Sequence, residues 1–210
     1  MTSDDIRDHV VAYARSLVGV SANPASAESR QQYLDLIAPG ESEAQQRTLA
    51  DLSGCGLVVA GIWRELGVTA PEIEPPYRKE TAISRLIAIA RHAGAWVAFS
   101  ADNRPSPGDA VLVGDGPGET EHVYTVISVT DDGASIVVES IDGGQRDAAH
   151  QETILAKQRV WRGRKDIVFA GSDPGAASAA GRTITGWIDV TRLPIAAADA
   201  EAPELAAEVA

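Results

Sequence analysis

Apolar side chains along the chain change their spacing near its middle, and the two halves predict different elements. In the first half Ile6, Val10, Ala14, Leu17 and Val18 recur at helical intervals behind Ser3, whose hydroxyl suits the free amides of a first turn. Gly19 stops that helix. Ala25 to Ile37 reads as a second helix, closed by Pro39-Gly40. A third begins near Cys55, turns Leu57, Val58, Ile62 and Leu66 inward, and stops at Gly67. A fourth carries Ile83, Leu86, Ile87 and Ala90 on one stripe and ends at Gly94.

The second half reads as strands. Asp109–Val113, His122–Val129, Ser135–Ile141, Arg159–Trp161, Asp166–Phe169 and Thr183–Val190 are short, rich in β-branched and aromatic residues, and separated by Gly, Pro and Asp clusters. Helices followed by a run of strands, without regular alternation, predict an α+β fold with an antiparallel sheet. Pro174 to Gly181 reads as a flexible loop. Ile195 to Ala210 holds almost no large apolar side chains and reads as a disordered Ala/Glu-rich tail, leaving residues 1–194 as a single domain.

Composition narrows the function classes. Against 18 Lys and Arg stand 30 Asp and Glu, a formal charge of −12 over 210 residues, so a phosphate backbone is repelled and a nucleic-acid partner is not expected. One cysteine, Cys55, permits neither an internal disulfide nor a thiolate metal cluster. Apolar runs fall short of a membrane span. The start, Met1-Thr2-Ser3-Asp4-Asp5, is acidic where a secretory signal would be basic and then apolar. The product is therefore expected to be soluble and cytoplasmic as synthesised, and export would need a signal-independent route.

Candidate chemistry centres on Cys55. Placed at the N-terminal end of an apolar helix, its thiol would be stabilised as an anion by free amides and the helix dipole. Gly54 and Gly56 would allow a tight turn and close approach of a substrate. A free cysteine is also a common core filler. His122, at the start of a strand after the loop Gly114–Glu121, is placed at a sheet edge near solvent. There it could ionise a thiol and later protonate a leaving amine. His9 and His92 fall on helix surfaces and His150 in a polar loop.

A third group would orient the imidazole. If Asp131-Asp132-Gly133 forms a three-residue hairpin loop, Thr130 pairs with Ala134 and His122 lies directly across from Asp142 on one sheet face. A two-residue loop at Asp132-Gly133 instead pairs His122 with Gly143 and brings Glu139 to its face, because a one-residue slip exchanges faces. Asp142 and Glu139 are thus the two candidates, and Asp142-Gly143-Gly144 also reads as a simple turn. Trp63 and Trp161 read as core anchors, Trp187 as part of a closing strand, and Glu72–Tyr77 as an extended connector.

Cys55-Gly56-Leu57-Val58, followed by Trp63-Arg64-Glu65-Leu66-Gly67, resembles the nucleophile helix of the NlpC/P60 cysteine peptidases. Pro107-Gly108-Asp109 with its following strand, then His122-Val123, is similar to that family's Pro-Gly-Asp strand and catalytic His-Val strand. Val137 to Gly144 is similar to the third-residue strand of that group and of the related CHAP amidases. The resemblance spans about Leu52 to Gln145. Gly54 stands where the family has Asp, Gly56 where it has Ser, and Tyr124 where it has a small residue. Neither His nor Asn occupies the third-member strand.

The resemblance implies a papain-like α+β fold, a Cys55–His122–Asp142 triad, and no cofactor or metal. It implies hydrolysis of an amide in a peptide or peptidoglycan fragment, with the Cys55 amide contributing to an oxyanion hole. A cytoplasmic amidase or acyltransferase with the same thioester chemistry, or a non-catalytic binding module, are the alternatives. The sequence identifies no inhibitory partner.

Overall fold

The computed structural model describes residues 1–22, 27–70, 73, 82–116, 120–131, 135–146, 152–168 and 181–196. Four α-helices come first: α1 (Ser3–Ser16), α2 (Ala27–Ile37), α3 (Glu43–Glu65) and α4 (Ala82–His92). Seven strands follow: β1 (Trp96–Ala98), β2 (Ala110–Gly114), β3 (His122–Asp131), β4 (Ile136–Arg146), β5 (Glu152–Arg162), β6 (Lys165–Val168) and β7 (Arg182–Ile188). A 3-10 turn at Val190–Arg192 ends the described elements.

The helices begin where side chains can satisfy their free amides. Thr2, rather than Ser3, caps α1: its hydroxyl accepts from the Asp5 amide at 3.2 Å while the Asp5 carboxylate accepts from the Thr2 amide at 2.7 Å. Val18 points to solvent instead of inward. Ser42 caps α3, so this helix starts a dozen residues before the expected position near Cys55.

Three glycines (Gly54, Gly56 and Gly61) lie within α3. Each costs a helix interior ~1 kcal/mol relative to Ala. Leu57, Val58, Ile62 and Trp63 of the same helix are buried, at ~1.5–3 kcal/mol apiece. Burial therefore outweighs the glycine cost.

All strand pairings are antiparallel, in the order β1-β7-β2-β3-β4-β5-β6, and β6 pairs again with β7. The expected sheet is thus closed: β2 to β7 form a six-stranded barrel. β1 adds to the C-terminal half of β7 through Trp96↔Ile188. Among the described residues the closing seam is short: Lys165↔Thr183 and Asp166↔Arg182, with the Ile184 amide donating to the Arg164 carbonyl at 2.8 Å.

Alternation divides the barrel's side chains between two cores. Ala110, Leu112, Val123, Ile127, Ile141 and Ile154 join the helices in the larger one. Val111, Val113, Tyr124, Val126, Val138, Trp161, Ile184 and Trp187 fill the barrel interior. The helix layer packs outside, chiefly α3 against β4 and β3. Trp63, Trp161 and Trp187 are buried, as core anchors should be.

Several boundaries differ from the sequence reading. β4 runs through Asp142-Gly143-Gly144, so this segment is strand and bulge rather than turn. β5 starts at Glu152, seven residues before Arg159. Ile195 is bridged to Val68, and the Ala196 amide donates to the Gly67 carbonyl at 2.9 Å, so the first two residues of the expected tail are pinned to the domain. Residues 197–210, the loop at 174–180, His150 and most of the connector at 72–77 lie outside the described residues.

Candidate active site

Cys55 is the thirteenth residue of α3, not the first, which removes the helix-terminus argument for its reactivity. An amide so far inside a helix is committed to the carbonyl four residues earlier. The expected oxyanion role for the Cys55 amide therefore loses its basis. What surrounds the sulfur is different: the His122 imidazole and the amides of Val123 and Gly56. Burial pushes the thiol up, but the hydrogen bond and charge of His122, joined by those two amides, outweigh it and the net direction is down.

The glycines beside Cys55 serve packing. A Cβ on Gly54 would come within 2.7 Å of the Gly144 Cα and 2.9 Å of the Tyr33 hydroxyl. On Gly56 it would meet the Ala82 side chain at 2.8 Å and the Ile83 amide at 2.9 Å. A Cβ on Gly143 would come within 2.5 Å of Val58, and one on Gly144, at φ +63°, within 2.6 Å of the Cys55 amide nitrogen. The register of β4 on β5 shifts between Asp142 and Gln145, so Gly143 and Gly144 form a bulge that lays β4 against α3. A side chain at position 54 or 56 would force its neighbours to shift.

His122 is buried at the first position of β3, opposite Val113 of β2, rather than at a solvent-facing edge. Its Nε2 lies 2.7 Å from Oδ2 of the fully buried Asp142. Arg159 and His122 hold that carboxylate well below the usual range despite the opposing effect of burial. An ionised carboxylate only accepts, so the proton of this bond belongs to Nε2, and Nδ1 is left for the thiol. Burial works against a charged ring, yet bonding to Asp142 and Cys55 prevails and the imidazole is raised.

The expected register is not the observed one. Next to the hairpin, Thr130 pairs with Val137 and Asp131 with Ile136, not Thr130 with Ala134. Residues 132–134 of the connection lie outside the described residues. A bulge at Ile127 then shifts the register by one, giving Thr125↔Ile141. Carried on, this sets His122 across from Gly144, two places beyond Asp142. An even offset keeps the face, and a diagonal pair is within reach of a long side chain. Glu139, the alternative, pairs with Ser128, is exposed, and accepts from the Ser128 hydroxyl at 3.0 Å. It stands apart from His122.

Behind Asp142 is a network that sequence reasoning missed. The Ser140 hydroxyl donates to Asp142 Oδ1 at 2.7 Å, and Arg159 Nη2 donates to Asp142 Oδ2. Arg159 Nη1 donates to Asp166 Oδ2 at 2.8 Å and its Nε to the Ser140 hydroxyl at 3.0 Å. Its guanidinium lies 3.9 Å from the centroid of the Tyr124 ring. The available signal was alternation: Arg159 and Trp161 share a strand face, so a charge was directed among interior aromatics.

Among the described residues, no group of three or more His, Cys, Asp or Glu side chains is arranged to hold a metal ion. No helix among them is long and apolar enough to cross a membrane. Comparison of the chain with family models, curated proteins and solved structures returns no match.

Proposed function

We propose that the protein is a cysteine-dependent amide hydrolase of papain-like, NlpC/P60-related type. The observation that carries this reading is a half-buried thiol against a buried imidazole and carboxylate, with His122 Nε2 at 2.7 Å from Asp142 Oδ2. Cys55 transfers its proton to His122 and attacks the amide carbonyl as thiolate. The imidazolium protonates the leaving amine, the C–N bond breaks, and a thioester remains. His122 then takes a proton from water, whose oxygen displaces Cys55 and releases the acid. Asp142 holds the ring in the tautomer both steps need.

The substrate class follows from the resemblance in the Cys55, Pro107-Gly108-Asp109 and His122 segments: stem peptides of peptidoglycan, or muropeptides released from it. The test begins with the thiol. Iodoacetamide is expected to label Cys55 readily below pH 7, and His122→Ala to slow the labelling. Reaction that rises only near the ~8.5 of an ordinary thiol would favour a non-catalytic binding module. Digestion of purified sacculi and of soluble muropeptides, with mass analysis of fragments, then identifies the bond. Intact wall peptides together with a reactive thiol would redirect the assignment to another amide.

A further inference from the structure

Arg159 is an unusual side chain for a barrel interior: its guanidinium is 2% exposed and surrounded by two carboxylates, a hydroxyl and an aromatic face. Burying a guanidinium is costly unless every donor is met by charge or hydrogen bond. Here the fork is divided. One arm binds the oxygen of Asp142 that also receives His122, and the other binds Asp166 on β6. Ser140 closes the ring of contacts, accepting from Arg159 and donating to the other Asp142 oxygen. Each element around the carboxylate brings a polar or titratable group: Cys55 from α3, His122 and Tyr124 from β3, Ser140 from β4, Lys157 from β5, Asp166 from β6 and Arg182 from β7.

We infer that Arg159 is a positioning residue for the Cys55–His122 pair: its fork fixes the rotamer of Asp142 and supplies the positive charge that keeps this carboxylate anionic beneath the imidazole. This rests on reading Cys55, His122 and Asp142 as one reacting unit. Without Arg159, Asp142 would share a dry interior with Asp166 and take up a proton more easily. The imidazolium would then lose its counter-ion, which favours the neutral thiol.

The test is the pH dependence of Cys55 alkylation by iodoacetamide in the full chain, read as the pH at which the rate reaches half its plateau. Arg159→Met/Asp166→Asn, which removes the fork with its second acid partner, is expected to move this midpoint up by at least one pH unit, a tenfold change in proton concentration. Arg159→Lys keeps a charge without the fork and should move it up by less, about half a unit. Asp166→Asn alone disturbs the same network but spares the Arg159–Asp142 contact, and should leave the midpoint in place.

If the double variant does not fold, as judged by circular dichroism, the Lys variant decides. Folded Arg159 variants with the wild-type midpoint would overturn the inference while leaving the proposed triad standing. Equal shifts in Asp166→Asn and Arg159→Lys would reduce Arg159 to a structural part. A wild-type thiol with an ordinary titration would instead remove the triad reading itself.

Discussion

His122 and Asp142 meet at 2.7 Å although they are not cross-strand neighbours: one bulge in β3 places the two side chains on the same face of the barrel wall. Without the extra residue at Ile127, the hairpin register would turn Asp142 to the opposite face. Asp142→Ala is therefore expected to slow alkylation of Cys55 at pH 6 by tenfold or more, the effect of about one unit in the thiol's titration. Glu139→Ala, on the outer surface, should stay within about twofold. The reverse ranking would mean that Asp142 does not orient the ring.

Close packing of α3 on β4 gives a second expectation. Gly54→Asp places a carboxylate beside the cysteine, and its Cβ would lie 2.7 Å from the Gly144 Cα. Backbone cannot yield as a flexible side chain can. Overpacking of this kind costs about 1–3 kcal/mol, so the urea midpoint should fall clearly. A midpoint equal to wild type would show that the helix and the bulge do not touch as described.

Asp109 supplies a pH signature away from the thiol. It accepts from Arg7 Nη1 at 2.7 Å and from the Ser106 amide at 2.8 Å, while Arg7 Nη2 reaches Asp189 at 2.8 Å. Burial pushes the carboxyl up to about 6, against the pull of the Ser106 amide and Arg7. The native state then binds this proton more tightly than the unfolded chain, whose carboxyl titrates at about 4. This contribution to stability is present in full below pH ~4 and is lost as pH rises through 6. Relative to Asp109→Asn, wild type should lose about 2 kcal/mol between pH 4 and pH 7, measured by urea unfolding. A difference that moves in wild type's favour with rising pH would reverse the sign assigned to this group.

Tyr124 fills the barrel beneath Arg159. Tyr124→Phe keeps the ring face that meets the guanidinium and should change stability by no more than about 1 kcal/mol. Tyr124→Ala removes a buried ring and should cost about 3–5 kcal/mol. Similar losses in both variants would transfer the importance of this residue from its ring to its hydroxyl.

Much of this was legible in the residues. The apolar stripes of α1, α2 and α4 and the β-branched runs of β2, β3 and β7 have strong periods, and their elements are where the pattern put them. The start of α3 was missed because Glu43–Asp51 offers few large apolar side chains. Its one sign was Ser42 with Gln45 three residues on, a capping-box pattern. The hairpin register was unreadable for another reason: a bulge leaves no clear mark in composition, and Ile127 looks like any β-branched strand residue. Asp142 still lies beside His122 because its displacement from the expected partner is even. Closure of the barrel, which brings β6 to β7 and Arg159 between two acids, depends on long-range pairing that local spacing does not encode.

The barrel's narrowest join lies next to its most charged interior. Asp166, one of only two β6 residues laddered to β7, is also the anchor for the far arm of Arg159. Opening of that join would admit water to the guanidinium and to Asp142, which neutralising Asp166 alone does not, so a disturbance at the strand pair beside β2 would be felt at the sulfur. Thermal softening of the fold should therefore quench the thiol's reactivity before the helices melt.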